Sequence, residues 1–274
     1  MPFILFFPKA EQHDLLKEEV RLKFPNAKLS FSKEGLVSFK FESKDIDRKK
    51  ISRVIYSRRV GLFEQKLNQV PHKTKNLDYI EIKEGEYWQY QILECQLDHF
   101  KLSEIEFDES APSRSYLKMK EVHRFFKLNL IQGQQVLEIG SAPGGISYYL
   151  LRLGLNVFCI DPAQMEAKLQ EDYPQNFIHL QKSIFDVEFN EVPKEIDWVV
   201  VDLNLKAEIS VNQTLRFVQK NKSIKGVFLT LKTPKINDVA KILKLENEIQ
   251  KKLNREIKVF QLPSHRREVG LLIV

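Results

Sequence analysis

The sequence predicts an α/β domain with a doubly wound, mostly parallel sheet whose last strand is antiparallel, preceded by a smaller α+β domain. Three observations carry this. Over residues 111–274 short β-branched or apolar runs alternate with helical patterns, the rhythm of strand–helix–strand crossovers with helices on both sheet faces. The last two runs are joined only by Leu262 to Glu268, too short for a crossover helix, so they form an antiparallel hairpin. A polar, Pro-containing stretch, Phe107 to Ser113, separates this region from one of different periodicity and sets the domains at 1–110 and 111–274.

In the first domain residues 3–7 predict a strand, 10–24 a helix with Leu15, Leu16, Val20 and Phe24 on one face, and 36–41 a strand. A helix through Ile46 to Ile55 follows, then extended stretches near 62–67, 79–83 and 87–100. The opening order of strand, helix, strand, helix is compatible with a ferredoxin-like unit carrying extra strands. No catalytic constellation stands out in it. In the second domain the strands are Val136–Ile139, Val157–Ile160, Phe177–Leu180, Trp198–Val201, Val227–Leu231, Ile257–Gln261 and Val269–Val274. Helical patterns near 144–153, 163–171, 206–220 and 235–254 lie between them.

Composition narrows the function. With 43% hydrophobic residues and only 10 Gly and 11 Pro, the chain has enough apolar surface to fold as a globular protein. No apolar stretch approaches the ~18–20 residues that cross a bilayer, and Met1 to Pro8 is expected to be a first strand, not an export signal. The two cysteines, Cys95 and Cys159, lie in different regions, so no disulfide framework or Cys-rich zinc site is expected and a cytoplasmic setting is. The six histidines lack metal-ligand spacing, and no metal is expected. The net charge of +6 falls entirely in the second half: residues 1–110 hold 19 basic and 19 acidic side chains, residues 111–274 hold 24 and 18. A polyanion partner, if there is one, faces the second domain.

The sharpest motif is Val136-Leu137-Glu138-Ile139-Gly140-Ser141-Ala142-Pro143-Gly144-Gly145, a buried strand entering a glycine-rich turn and then a helix. Such a turn lets backbone approach a ligand closely beside the free N–H groups of a helix start. Its Gly-x-x-x-Gly-Gly spacing is neither the Gly-x-Gly-x-x-Gly of pyrophosphate binders nor a P-loop, which ends in Gly-Lys-Ser/Thr. The next strand ends at Asp161, where doubly wound nucleoside-binding folds hold ribose hydroxyls. An adenosyl ligand without phosphates fits that pattern, with Glu138, Gly140, Ser141, Ala142, Pro143, Gly144, Gly145 and Asp161 as its candidate contacts. Asp202 and Lys232 each end an apolar strand, and the carboxyl ends of parallel strands open onto the ligand crevice.

Six segments in order and spacing resemble the FtsJ/RrmJ-type RNA 2′-O-ribose methyltransferases, and among them the M-type enzymes acting on a cytidine of large-subunit ribosomal RNA. They are Ser113 to Met119, Ile139 to Gly145, Ile160 to Met165, Ile196 to Asp202, Leu229 to Pro234, and His265 to Val269. The resemblance implies a Rossmann-like methyltransferase sheet, S-adenosyl-L-methionine as cofactor, and structured, ribosomal RNA as partner. It maps a catalytic tetrad onto Lys118, Asp202, Lys232 and Glu268. In that frame Lys232, kept transiently neutral by burial and by neighbouring positive charge, takes the hydroxyl proton; Asp202 orients it; Lys118 and Glu268 hold the ribose and the charge balance. The acid near the adenine aligns on Ser183 or on Asp186, three residues later. Arg114, Arg266 and Arg267, with Lys120 and Arg124, are candidates for a phosphate-binding rim. Ile146 stands where the family often has Trp, and Leu203-Asn204 departs from its usual pattern after the acid. Residues 1–110 look like a shortened, THUMP-like relative of the M-type RNA-binding region, through the early strand and Arg58-Arg59-Val60. Two rivals stay open: a non-catalytic RNA-binding or assembly factor on the same fold, and a methyltransferase of a small molecule or protein.

Overall fold

A computed structural model describes residues 1–42 and 46–274. The chain divides into two compact units, residues 1–102 with 235–240, and residues 103–234 with 241–274.

The first unit runs β1 (Phe3–Phe6), α1 (His13–Lys23), β2 (Lys28–Lys33), β3 (Leu36–Lys40), α2 (Arg48–Ile51), β4 (Val60–Leu67), β5 (Leu77–Lys83) and β6 (Glu86–Leu93). Its sheet is antiparallel throughout, in the order β2-β3-β1-β4-β6-β5. Three elements differ from the sequence reading. β2 was not expected, because Lys-Leu-Ser-Phe-Ser-Lys is too polar to stand out as a strand. The helix expected through Ile46 to Ile55 shrinks to one turn, capped by the Asp47 side chain on Lys50 N. It stops there because the buried Glu19 carboxylate of α1 accepts the backbone N–H groups of Ile55 and Tyr56. The extended stretch to Phe100 ends at Leu93; beyond it Asp98 accepts Phe100 N and the Arg59 guanidinium.

The second unit opens with α3 (Ser115–Phe126), then β7 (Gln135–Ile139), α4 (Gly145–Arg152), β8 (Asn156–Ile160), α5 (Ala167–Asp172) and β9 (Phe177–Leu180). It continues with β10 (Trp198–Val201), α6 (Ala207–Lys220), β11 (Gly226–Lys232), all but the first three residues of α7 (Asp238–Leu253), β12 (Ile257–Phe260) and β13 (Glu268–Ile273). The seven strands lie in the order β12-β13-β11-β10-β7-β8-β9. From β9 to β11 all neighbours are parallel; β13 is antiparallel to both β11 and β12. The first crossovers run from β7 toward β9 and the later ones from β10 the other way, so the direction of winding reverses between β7 and β10. That switch point is where open α/β sheets leave a crevice at their carboxyl ends. β10 and β11 are buried along almost their whole length, as continuous apolar runs demand. The helix expected from 163 starts at Ala167, because Asp161 turns the chain first by accepting Ala163 N. Tyr116 packs in the core against Phe107, Tyr148 and Tyr149.

Candidate active site

Two loops and two strand ends meet at the switch point. β7 runs out into Gly140, whose φ of 79° favours glycine and whose Cβ position lies 2.9 Å from the Asp202 carbonyl oxygen, so the loop can pass over the end of β10 only without a side chain. Gly145 opens α4 with its Cβ position against the Ser113 and Ser115 hydroxyls, which lets α4 and the start of α3 lie in contact. That contact places Lys118, one turn along α3, over the end of β10. Asp161 braces the loop from the end of β8, its Oδ2 accepting Ala142 N at 3.0 Å while Oδ1 accepts Ala163 N. Ser141 is buried in the loop, and its hydroxyl makes no hydrogen bond among the described residues.

Four charged heads close a ring beside this loop. Lys118 Nζ donates to both Asp202 oxygens, at 3.0 and 2.9 Å, and lies 3.1 Å from Glu268 Oε1. Lys232 Nζ lies 2.5 Å from Glu268 Oε2 and 3.7 Å from Asp202 Oδ1. Charges alternate around the ring and sum to zero. β13 supplies the geometry, because its antiparallel register sets Glu268 opposite Lys232, and Thr233 N donating to Arg267 O carries the ladder one step further.

The FtsJ-like methyltransferase family model matches residues 111–266. The chain belongs to the FtsJ-like methyltransferase family. It is similar to an uncharacterized protein of Methanocaldococcus jannaschii, 30% identical over 155 residues that make up 55% of this chain and 42% of that one. It is also similar to the ribosomal RNA large subunit methyltransferase M of Proteus mirabilis, at 29% identity over 62% of this chain and 48% of the relative, and of Shewanella sediminis, at 32% over 60% and 47%. The matched segments thus span about half the length of these curated relatives. Among solved structures the chain is similar to the Methanococcus jannaschii fibrillarin pre-rRNA processing protein, with a TM-score of 0.42 and 13% identity over 91% of this chain and 97% of that one.

In this FtsJ-like unit the ring adds one contact to the sequence reading and departs from it in one respect. Asp202, expected to orient Lys232, lies 3.7 Å from its Nζ while both Asp202 oxygens accept from Lys118, and Glu268 makes the shorter contact with Lys232. Lys232 was also expected to have its charged form disfavoured. Burial does act that way, but the Asp202 and Glu268 carboxylates outweigh it and raise the ammonium above the ordinary lysine value. Burial likewise would raise Glu268, but His265, Lys118 and Lys232 bring it down to about 2.

Glu138 is buried one residue before the end of β7. It is 1% exposed, it accepts the Ser147 hydroxyl of α4 at 2.6 Å, and burial pushes its carboxyl up to about 8. Of the two adenine-side candidates, Ser183 is engaged in a turn in which its carbonyl accepts Asp186 N, and Asp186 is exposed. Arg114, Arg266 and Arg267 line one cavity of about 450 Å³ together with Lys118 and Glu268. Lys120 and Arg124 do not line it; Lys120, two positions past Lys118 and so across the helix, reaches the Glu106 carbonyl instead. In the first unit Arg59 is buried between Asp78 and Asp98, and Arg58 donates to the Phe7 and Pro8 carbonyls, so both are structural.

Sequence reasoning missed Glu121. Its carboxylate, 4% exposed on α3, accepts Ser264 N on both oxygens at 3.1 Å and the Ser264 hydroxyl at 2.7 Å. It ties the helix that carries Lys118 to the hairpin loop that leads to Glu268. The available signal was an acid one turn after Lys118 on a face with buried Met119 and Val122. Among the described residues no group of three or more His, Cys, Asp or Glu is arranged to hold a metal, and no helix is long and apolar enough to cross a membrane.

Proposed function

We propose that this chain is an S-adenosyl-L-methionine-dependent methyltransferase acting on a ribose 2′-hydroxyl of RNA, with large-subunit ribosomal RNA as its substrate class. The observation that supports it best is the closed Lys118–Asp202–Lys232–Glu268 ring standing beside a glycine turn at the switch point of an FtsJ-like sheet.

The residues of the turn suit the cofactor. The buried Ser141 hydroxyl has no partner among the described residues, the Asp161 carboxylate stands at the end of β8, and the loop carries no lysine for a phosphate. Gly140, Ser141, Ala142, Pro143, Gly144 and Gly145 would hold its methionyl part, and Asp161 and Asp186 its adenosyl part. When bound, the cofactor supplies a sulfonium-activated methyl group. The chain's task is then alignment and proton removal. Lys232, once it has lost its proton to solvent, would accept the 2′-hydroxyl proton at Nζ. Glu268 fixes the position of Nζ. Lys118, held on Asp202, stabilises the ring as its charge changes. Arg114, Arg266 and Arg267 bind phosphates flanking the target ribose.

Residues 1–110 form, on this reading, an RNA-gripping domain. Support comes from its connectivity: β1-α1-β2-β3-α2-β4 with the order β2-β3-β1-β4 is the split arrangement of ferredoxin-like and THUMP-like units, extended here by the β5–β6 hairpin.

Incubation with labelled S-adenosyl-L-methionine and ribosomal RNA, followed by nucleoside analysis, tests the function. A labelled 2′-O-methyl nucleoside is expected. Label on a base or on protein, or no transfer at all, contradicts it.

A further inference from the structure

The antiparallel sheet of the first unit curls strongly. Its edge strands approach each other until Lys33 Nζ on β2 donates to the Glu81 and Ile82 carbonyls of β5, at 2.7 and 3.0 Å. Phe31 on β2 and Trp88 on β6, with three strands between them in sheet order, bring their ring centroids to 4.9 Å, so the face they share is concave. A cavity of about 280 Å³ opens on that face.

Its lining combines three chemistries. Phe31, Phe63 and Trp88 present aromatic surface, with the Phe63 and Trp88 centroids 5.4 Å apart. Lys66, the register partner of Trp88, sets its ammonium 5.4 Å from the Trp88 ring centre. Ser38, 1% exposed, also lines the cavity, and its hydroxyl has no hydrogen-bond partner among the described residues. A buried hydroxyl left unpaired is destabilising, and a ligand with a polar edge removes that cost. An aliphatic side chain in the cavity would leave Ser38 unpaired and make no use of the Lys66 ammonium at its rim. A nucleotide answers all three: a flat π-face, a polar edge and an adjoining phosphate.

We propose that this cavity receives an unpaired nucleobase of RNA, held against Phe31, Phe63 and Trp88, with Ser38 on its edge and Lys66 on the neighbouring phosphate. The proposal rests on the reading of the protein as an RNA-modifying enzyme and gives its first unit a specific contact with single-stranded RNA.

The two tryptophans make the test selective, since Trp198 is 4% exposed within β10 and Trp88 lines the cavity. The full chain carrying Trp198→Phe is titrated with a short single-stranded oligocytidylate and with the same strand in a duplex, while Trp88 emission is followed. Saturable quenching by the single strand and none by the duplex is expected. Phe63→Ala should weaken single-strand affinity about tenfold or more, the scale of one lost base stack. Ser38→Ala, which keeps the fold's volume, should weaken it several-fold, and it carries the test if Phe63→Ala fails to fold by circular dichroism. Unchanged emission at saturating RNA, equal quenching by the duplex, or wild-type affinity in folded Phe63→Ala or Ser38→Ala overturns the proposal. Labelled methyl transfer is measured on the same proteins. Wild-type chain that makes no 2′-O-methyl nucleoside defeats the catalytic reading, whereas normal methylation with an unresponsive Trp88 defeats only the base pocket.

Discussion

Lys232 and Glu268 are opposed partners in the antiparallel β11–β13 ladder, and their charged heads meet at 2.5 Å. The pair exists because β13 inserts between β11 and β12, bringing the residue that begins the last strand to the crevice end of β11. Asp202 and Glu268 together outweigh burial and hold Lys232 more firmly protonated than an ordinary lysine, which makes its loss of a proton a step that limits the proposed chemistry.

The rate of methyl transfer should therefore rise with pH through the neutral range in single-turnover experiments, as the neutral fraction of Lys232 grows. Glu268→Gln removes a carboxylate that favours the ammonium, so Lys232 gives up its proton more readily and the rise moves to lower pH. Paired pH–rate profiles check this. A profile for Glu268→Gln that stays in place or moves to higher pH contradicts the assignment of Lys232 as base.

Stability should depend on pH through two buried acids with opposite signs. Glu268 has a folded value near 2 against an ordinary 4.5, so the unfolded chain binds the extra proton and stability falls as pH drops between those values, by at most about 3 kcal/mol. Glu138 is the reverse. Its folded value near 8 means that stability is full below pH 4.5 and is lost as pH rises toward 8. Urea unfolding midpoints across pH should show Glu138→Gln flattening the upper limb and Glu268→Gln the lower one. Limbs that keep their slopes in these variants would show that other groups set them.

Glu121 is a positioning residue in this account. Glu121→Ala frees the hairpin loop from α3 and should lower kcat about tenfold or more, as misplacement on the ångström scale does, while cofactor affinity stays at the wild-type value. Glu121→Gln keeps one acceptor for Ser264 and should recover much of the rate. If Glu121→Ala lowers unfolding stability but leaves kcat untouched, the residue only supports the fold.

The strands that border the crevice were legible because burial on both faces writes them as unbroken apolar runs, as in Trp198–Val201. Their ends gave away the positions of Asp202 and Lys232. β2 was hidden because Lys28–Lys33 carries only two apolar residues, Leu29 and Phe31, on a mostly exposed edge, too few to stand out as a strand. The early stop of α2 was hidden for a different reason: the groups that end it, the Glu19 oxygens, come from 36 residues away. That Glu268 would make the shorter contact with Lys232 was beyond the sequence in the same way, since it follows from the β11–β13 register. The burial of Glu138 was hidden as well, because its motif position says which strand carries it, not that Ser147 on the following helix would donate to its carboxyl.

The most direct test of the ring as catalytic machinery is the single-turnover rate of 2′-O-methyl nucleoside formation by Lys232→Met, with cofactor affinity measured on the same protein. Wild-type affinity with a rate lower by about a hundredfold or more is the predicted result, the scale of a lost general base. A folded Lys232→Met protein that methylates RNA at the wild-type rate would contradict it.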